Sequence, residues 1–203
     1  MKKRNLLLGL AAAGTVFALA SCNSANTSKA ASTSTSKAAA NTTEDDGEDL
    51  GFTEVTIFEG VKKEFLNLNA VYFQPVDMTG GVNAEDYDCH LELDVSALEN
   101  NYGYGVGDWV PYLTVEYLVA QNGTTVTSGT FMPMAASDGP HYGQNISLNG
   151  DGLYSVTFTI KFPDTSSVYL IHTDETGPNA STFPDTIVYT YDSWKFVDGA
   201  WAE

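Results

Sequence analysis

The chain has 203 residues, with 9 Lys+Arg against 26 Asp+Glu and a formal net charge of −17. Every carboxylate lies at or after Glu44, and beyond that point only Lys62, Lys63, Lys161 and Lys195 are cationic. Four scattered lysines cannot displace phosphate counterions, which excludes nucleic acid and leaves cations as the species this surface attracts.

The N-terminus reads as an address. Lys2, Lys3 and Arg4 precede an apolar run from Leu6 to Ala20, shorter than the roughly 20 residues that span a bilayer and suited to a signal-peptide core. The run ends on Leu19-Ala20-Ser21-Cys22, which resembles a bacterial lipobox. Residues 1–21 are therefore expected to be a lipoprotein signal peptide, with Cys22 the lipidated residue that anchors the chain to a bilayer. Residues 23–43 contain only Asn, Ser, Ala, Thr and Lys and have nothing to bury. With the acidic cluster from Glu44 to Asp49 they extend residues 22–50 as a flexible tether. The expected domain covers 51–203.

Hydrophobic residues make up 43% of the chain, enough for a folded core, and the texture after residue 50 is β. Strand-like segments fall near 53–59, 66–75, 87–96, 109–120, 124–134, 153–162, 167–172 and 186–197. Turn chemistry separates them at Thr79-Gly80-Gly81, Asn122-Gly123, Asp138-Gly139-Pro140, Asn149-Gly150-Asp151-Gly152 and Thr176-Gly177-Pro178. Tyr154, Val156, Phe158, Ile160 and Phe162 alternate with polar residues, as do Leu113, Val115, Tyr117 and Val119. Seven or more short strands and no sustained helical period predict an all-β fold, an immunoglobulin-like antiparallel β-sandwich.

If Cys22 is lipidated, Cys89 has no partner for an intrachain disulfide. Alternation from Asp88 to Val95 puts Cys89, Leu91, Leu93 and Val95 on an apolar face. His90 and Glu92 then share an open polar face, about 7 Å apart along the strand.

Only three histidines occur, His90, His141 and His172. Imidazole and carboxylate at His90 and Glu92 can converge on one ion. His141 lies in Asp138-Gly139-Pro140-His141-Tyr142-Gly143, read as a tight turn. Just upstream, Phe131-Met132-Pro133-Met134 sets two thioethers on one strand face, with Met132 better read as core filling. His172 ends an apolar run and enters a polar turn with Thr173, Asp174 and Glu175. Imidazole with thioether suits copper, and imidazole with carboxylate suits harder ions such as Fe(II), Mn(II) or Zn(II). A blue-copper centre needs a thiolate, and Cys89 faces away from His90.

Several segments together carry a resemblance: Val71-Tyr72-Phe73-Gln74-Pro75-Val76-Asp77-Met78, His90-Leu91-Glu92, Gly107-Asp108-Trp109-Val110-Pro111-Tyr112-Leu113, the run from Thr130 to Gly143, and His172-Thr173-Asp174. In this order and spacing the chain resembles the bacterial iron-transport-associated family over about 55–200. The resemblance implies a periplasmic or lipid-anchored homodimer of high-affinity ferrous-iron uptake, with a copper site near the subunit interface. It places the copper ligands on His90, Met134, His141 and His172. Glu92 matches a carboxylate beside the copper that can take a second or alternative cation, and Asp138 an acidic residue near it. Copper is then the expected cofactor, Fe2+ or another divalent cation the cargo, and a membrane iron permease the partner. Neutral imidazole ligands predict affinity that weakens as pH falls through roughly pH 6–7.

Two other classes compete with this non-enzymatic reading. A tethered adhesion or carbohydrate-binding module would use exposed aromatics such as Tyr102 and Tyr104. A copper-dependent iron oxidase or reductase would turn iron over, although no Ser-His-Asp arrangement or paired acid-base set is evident. Gly103-x-Gly105-x-Gly107 is followed by no helix and is not a dinucleotide loop.

Overall fold

Left-handed turn residues cut the chain into short extended segments. Asn122 (φ 53°) and Gly123 (φ 79°) make the two-residue turn of one hairpin, a geometry that matches the twist of the flanking strands. The computed structural model describes residues 53–164 and 169–202. The expected signal peptide, the lipidated Cys22 and the tether lie outside the described residues.

Among the described residues nine strands follow one another: β1 Val55–Lys63, β2 Leu66–Phe73, β3 Cys89–Ala97, β4 Thr114–Gln121, β5 Thr124–Thr130, β6 Met132–Ala136, β7 Gly139–Ile146, β8 Gly152–Lys161 and β9 Ile187–Phe196. They form two sheets, ordered β1-β2-β3-β7-β6 and β5-β4-β8-β9, and every pairing is antiparallel. The expected all-β sandwich is the fold observed.

The core lies between the sheets. Cys89, Leu91, Leu93 and Val95 of β3 are buried, as are Val115, Tyr117 and Val119 of β4 and Tyr154, Val156, Phe158 and Ile160 of β8. Phe58 of the first sheet meets Phe158 and Tyr189 of the second at 6.0 and 5.1 Å between ring centroids. Tyr72 likewise meets Trp194 at 5.7 Å. Each fully buried side chain of this size stabilises the fold by about 1.5–3 kcal/mol relative to exposure.

Three expectations change. The segment near 124–134 is two strands in different sheets. The chain crosses at Phe131, whose N–H donates to the Val115 carbonyl (2.8 Å) and whose ring stacks on Tyr117 (4.8 Å). A buried aromatic at the crossing pins the change of sheet. The tight turn expected from Asp138 to Gly143 shrinks to Ser137-Asp138, and His141 stands on strand β7. Pro140 is tolerated there because it pairs only with Ala135 of β6, beyond the point where β7 leaves β3. Finally, Tyr169–His172 carry no strand, residues 167 and 168 lying outside the described set.

Candidate metal centre

Strand register builds the site. His90 opposes Asn145 and Glu92 opposes Gly143 across β3 and β7, while His141 opposes Met134 and Gly143 opposes Met132 across β7 and β6. Directly opposed residues point to the same side of a sheet, so these side chains gather on one face. His90, Glu92, Met132, Met134 and His141 line a cleft of ≈ 990 Å³, bounded on the other side by the β2–β3 loop through Val76, Met78 and Val82.

The polar face of β3 is not open, as the alternation alone suggested. His90 is 1% exposed and Glu92 2%. β3 is flanked by β2 and β7, and the rings of Phe73 and His141 lie 5.0 and 6.0 Å from that of His90. Met132, in contrast, is 58% exposed and lines the cleft instead of filling the core, because β6 is an edge strand.

His141 Nδ1 is 3.1 Å from Glu92 Oε1, and His90 Nε2 is 4.0 Å from Glu92 Oε2. The tautomer of His90 is set by Asn145. The Asn145 Nδ2 group donates to the Val76 carbonyl (2.7 Å), and the Val76 N–H donates to Asn145 Oδ1 (3.3 Å). That leaves Oδ1 to accept from His90 Nδ1 at 2.9 Å, so Nε2 presents its lone pair beside Glu92. Gly143 gives this imidazole its room, since a Cβ there would lie 2.6 Å from Nε2.

Electrostatics favour a cation. Burial lowers the His90 pKa to about 4 and also lowers that of His141, so both imidazoles are neutral and able to coordinate. Burial, then the negative charges of Asp94, Glu54 and Asp138, push the Glu92 carboxyl well above the usual range. Asp94 is raised by burial as well and hydrogen-bonds Glu92. His90, Glu92 and His141 offer ligand atoms within 4.8 Å of one another, and so do Glu54, Glu92 and Asp138. Two buried neutral imidazoles, a half-buried thioether and the Glu92 carboxyl fit a copper ion, and the same Glu92 with the exposed Glu54 and Asp138 fits a harder one.

Of the six residues expected to bind metal, His90, Glu92, Met134, Asp138 and His141 line this cleft and His172 does not. His172 is exposed, its Nδ1 3.0 Å from Thr176 Oγ1 in a turn where Asp174 Oδ1 accepts from the Thr176 N–H and hydroxyl. Asn145, Gly143 and Glu54 were not singled out from the sequence. Asp94 carried a signal in the alternation of β3, two positions past Glu92, whereas Glu54 precedes β1 and reaches the site only through folding.

A profile described as Fe2+ transport protein matches residues 51–198. The chain belongs to the Fe2+ transport protein family. The 34 kDa membrane antigen of Treponema pallidum is 39% identical over 160 residues, covering 74% of this chain and 78% of the antigen. A UPF0423 protein of Brucella abortus is 40% identical over 134 residues, 62% of this chain and 74% of that protein. FetP of uropathogenic Escherichia coli, expressed in the periplasm, has a solved structure 44% identical to this chain with a TM-score of 0.66, covering 73% of this chain and 99% of FetP. Copper-reconstituted P19 of Campylobacter jejuni gives 34% identity and a TM-score of 0.64, over 72% of this chain and 97% of P19. The resemblance carried by the histidine segments thus holds for this family member. No helix among its described residues is long and apolar enough to cross a membrane.

Proposed function

We propose that this family member is an extracytoplasmic metal-binding lipoprotein of high-affinity Fe2+ uptake, with copper as resident metal and ferrous iron as cargo. The observation that carries this is the burial of His90, Glu92 and His141 around a common point, with Met134 opposite His141. Burial keeps both imidazoles neutral and faces their ring nitrogens and the Glu92 carboxyl toward one another, which is the arrangement that coordination needs. The copper-bound relatives FetP and P19 support copper as the occupant.

In this reading His90, Met134 and His141 hold copper, which when bound supplies a Lewis-acidic, redox-capable centre beside the cargo. Glu92 belongs both to the group with His90 and His141 and to the group with Glu54 and Asp138, and those three carboxylates would take a hard divalent cation. The acidic surface raises the local concentration of such ions. Cys22 ties the domain to the bilayer near a membrane permease, which receives the iron. The protein captures and delivers and performs no turnover. A homodimer would complete the arrangement, since His172, which does not line the cleft and bonds Thr176 in its own turn, could then join the ligands from a second copy.

The purified protein should hold about one copper per chain tightly, and Met134→Leu should weaken Cu(I) more than Cu(II), a thioether being the softer donor. Unchanged copper content in His141→Ala would sink the assignment. Fe(II) or Fe(III) turnover by the copper-loaded protein would favour an oxidoreductase instead.

A further inference from the structure

The cleft holds two thioethers that the ligand set above does not use. Met132 belongs to a row that runs across three strands, Met132 of β6, Gly143 of β7 and Glu92 of β3. The middle member has no side chain, and His90 Nε2 lies over it, 2.6 Å from where a Cβ would stand. Met132 therefore shares a sheet face with Nε2 across a residue that has no side chain, its Cα two ladder spacings from that of Glu92, about 9–10 Å. Its 58% exposure leaves the thioether open to solvent at the cleft mouth.

Met78 lines the same cleft from the β2–β3 loop. The Met78 N–H donates to the Val82 carbonyl (3.0 Å), and the turn between them passes through Gly80 and Gly81 at φ 90° and 85°. The loop is also fastened to the site, because Val76 bonds both ways to the Asn145 amide that orients His90. Met78 thus stands on a strap tied to the inner ligands.

We infer that Met78 and Met132 form an outer thioether site that captures Cu(I) at the cleft mouth and passes it inward to Met134, His141 and His90. A set made of sulfur alone selects the soft monovalent ion and offers little to Fe(II) or Mn(II), so the entrance would load the resident metal without trapping the cargo. The transfer is ligand exchange with no change of oxidation state. This inference rests on the copper reading above.

The test uses protein labelled with ¹³C at the methionine methyl groups, titrated with Cu(I) under anaerobic conditions. The first equivalent should shift Met134, and a second should shift Met78 and Met132. The Met78→Leu/Met132→Leu variant should accept the first equivalent with unchanged affinity, lose the second, and load from a Cu(I)–chelator complex several-fold more slowly. Met78 and Met132 methyl signals that stay fixed at the second equivalent, or loading of the variant at the wild-type rate, overturn the outer site while the inner one stands. A protein that binds no Cu(I) at all overturns both.

Discussion

His141 Nδ1 lies 3.1 Å from Glu92 Oε1, and the two side chains are only 6% and 2% exposed. They come from strands of opposite direction, with Gly143 rather than His141 as the cross-strand partner of Glu92. The diagonal contact lets a neutral imidazole and a protonated carboxyl share a dry pocket. Displacing that proton frees ligand atoms on both residues.

Metal uptake should release a proton. Glu92 has its pKa raised, so at pH 7 the metal-free protein holds a carboxylic acid there, whereas a bound cation needs the carboxylate. His90 and His141 have lowered pKa values and contribute no proton at that pH. Titration calorimetry in buffers of different ionisation enthalpy should show about one proton released per metal at pH 7, with affinity rising about tenfold per pH unit. Glu92→Gln should abolish the release. An affinity independent of pH between 6 and 8 would contradict this. The imidazoles shift the acid limit below the pH 6–7 range expected for free histidines.

The metal-free protein should lose stability as pH rises above 7. A carboxyl whose folded pKa exceeds its unfolded value binds a proton in the native state that the unfolded chain has released. Stability therefore falls as pH climbs from the unfolded value through the raised one. His90 acts oppositely, adding stability as pH rises from about 4 to 6.5, so the carboxyl slope stands clear only above that window. Urea denaturation at pH 7 and pH 9 should show the decline, and Glu92→Gln should flatten it.

Asn145→Ala should cost more in metal affinity than its distance from the metal suggests. It removes the acceptor that fixes the His90 tautomer and both bonds to Val76. Loss of an orienting partner typically weakens metal binding 10–100-fold, and the orphaned buried groups should destabilise the fold by about 1–3 kcal/mol. Chelator competition measures the first effect and thermal unfolding the second. Wild-type affinity in a folded variant would show that Asn145 does not orient the ligand.

Gly143→Ala should damage the site while the sheet survives. The new Cβ would meet His90 Nε2 at 2.6 Å and the Leu91 carbonyl at 3.3 Å, so the imidazole has to turn away. Overpacking of this kind costs about 1–3 kcal/mol. Circular dichroism should remain β-like while copper content drops. Copper at wild-type level would mean His90 is not a ligand in that position.

β3 shows how far residue order was legible and where it stopped. Period-two alternation put Cys89, Leu91, Leu93 and Val95 on one side and His90, Glu92 and Asp94 on the other, as observed. It gave no sign that the polar side is covered, because the cover comes from the β2–β3 loop, β6 and β7, and β6 begins only at Met132, 35 residues after β3 ends at Ala97. The Phe131 crossing was invisible for a similar reason. Residues 124–134 read as one continuous strand locally, and only the packing of Phe131 on Tyr117 divides them between sheets. Glycine and proline around Asp138 suggested a turn, yet pairing with β3 and β6 extends most of that segment into β7.

The sequence by itself determined the acidity, the β texture, the two faces of each strand and the scarcity of soft and imidazole ligands. These are local properties, set by side-chain chemistry and a two-residue period. Tertiary structure alone decided which of those residues meet. It joined His90 and Glu92 to His141 and Met134 through pairings across three strands, and added Glu54, Asn145 and the bare floor at Gly143. It left His172 in a separate exposed turn. The acidic surface draws cations of any kind. Selecting among them needs donors fixed in a water-poor cleft, and only register and long-range closure build one.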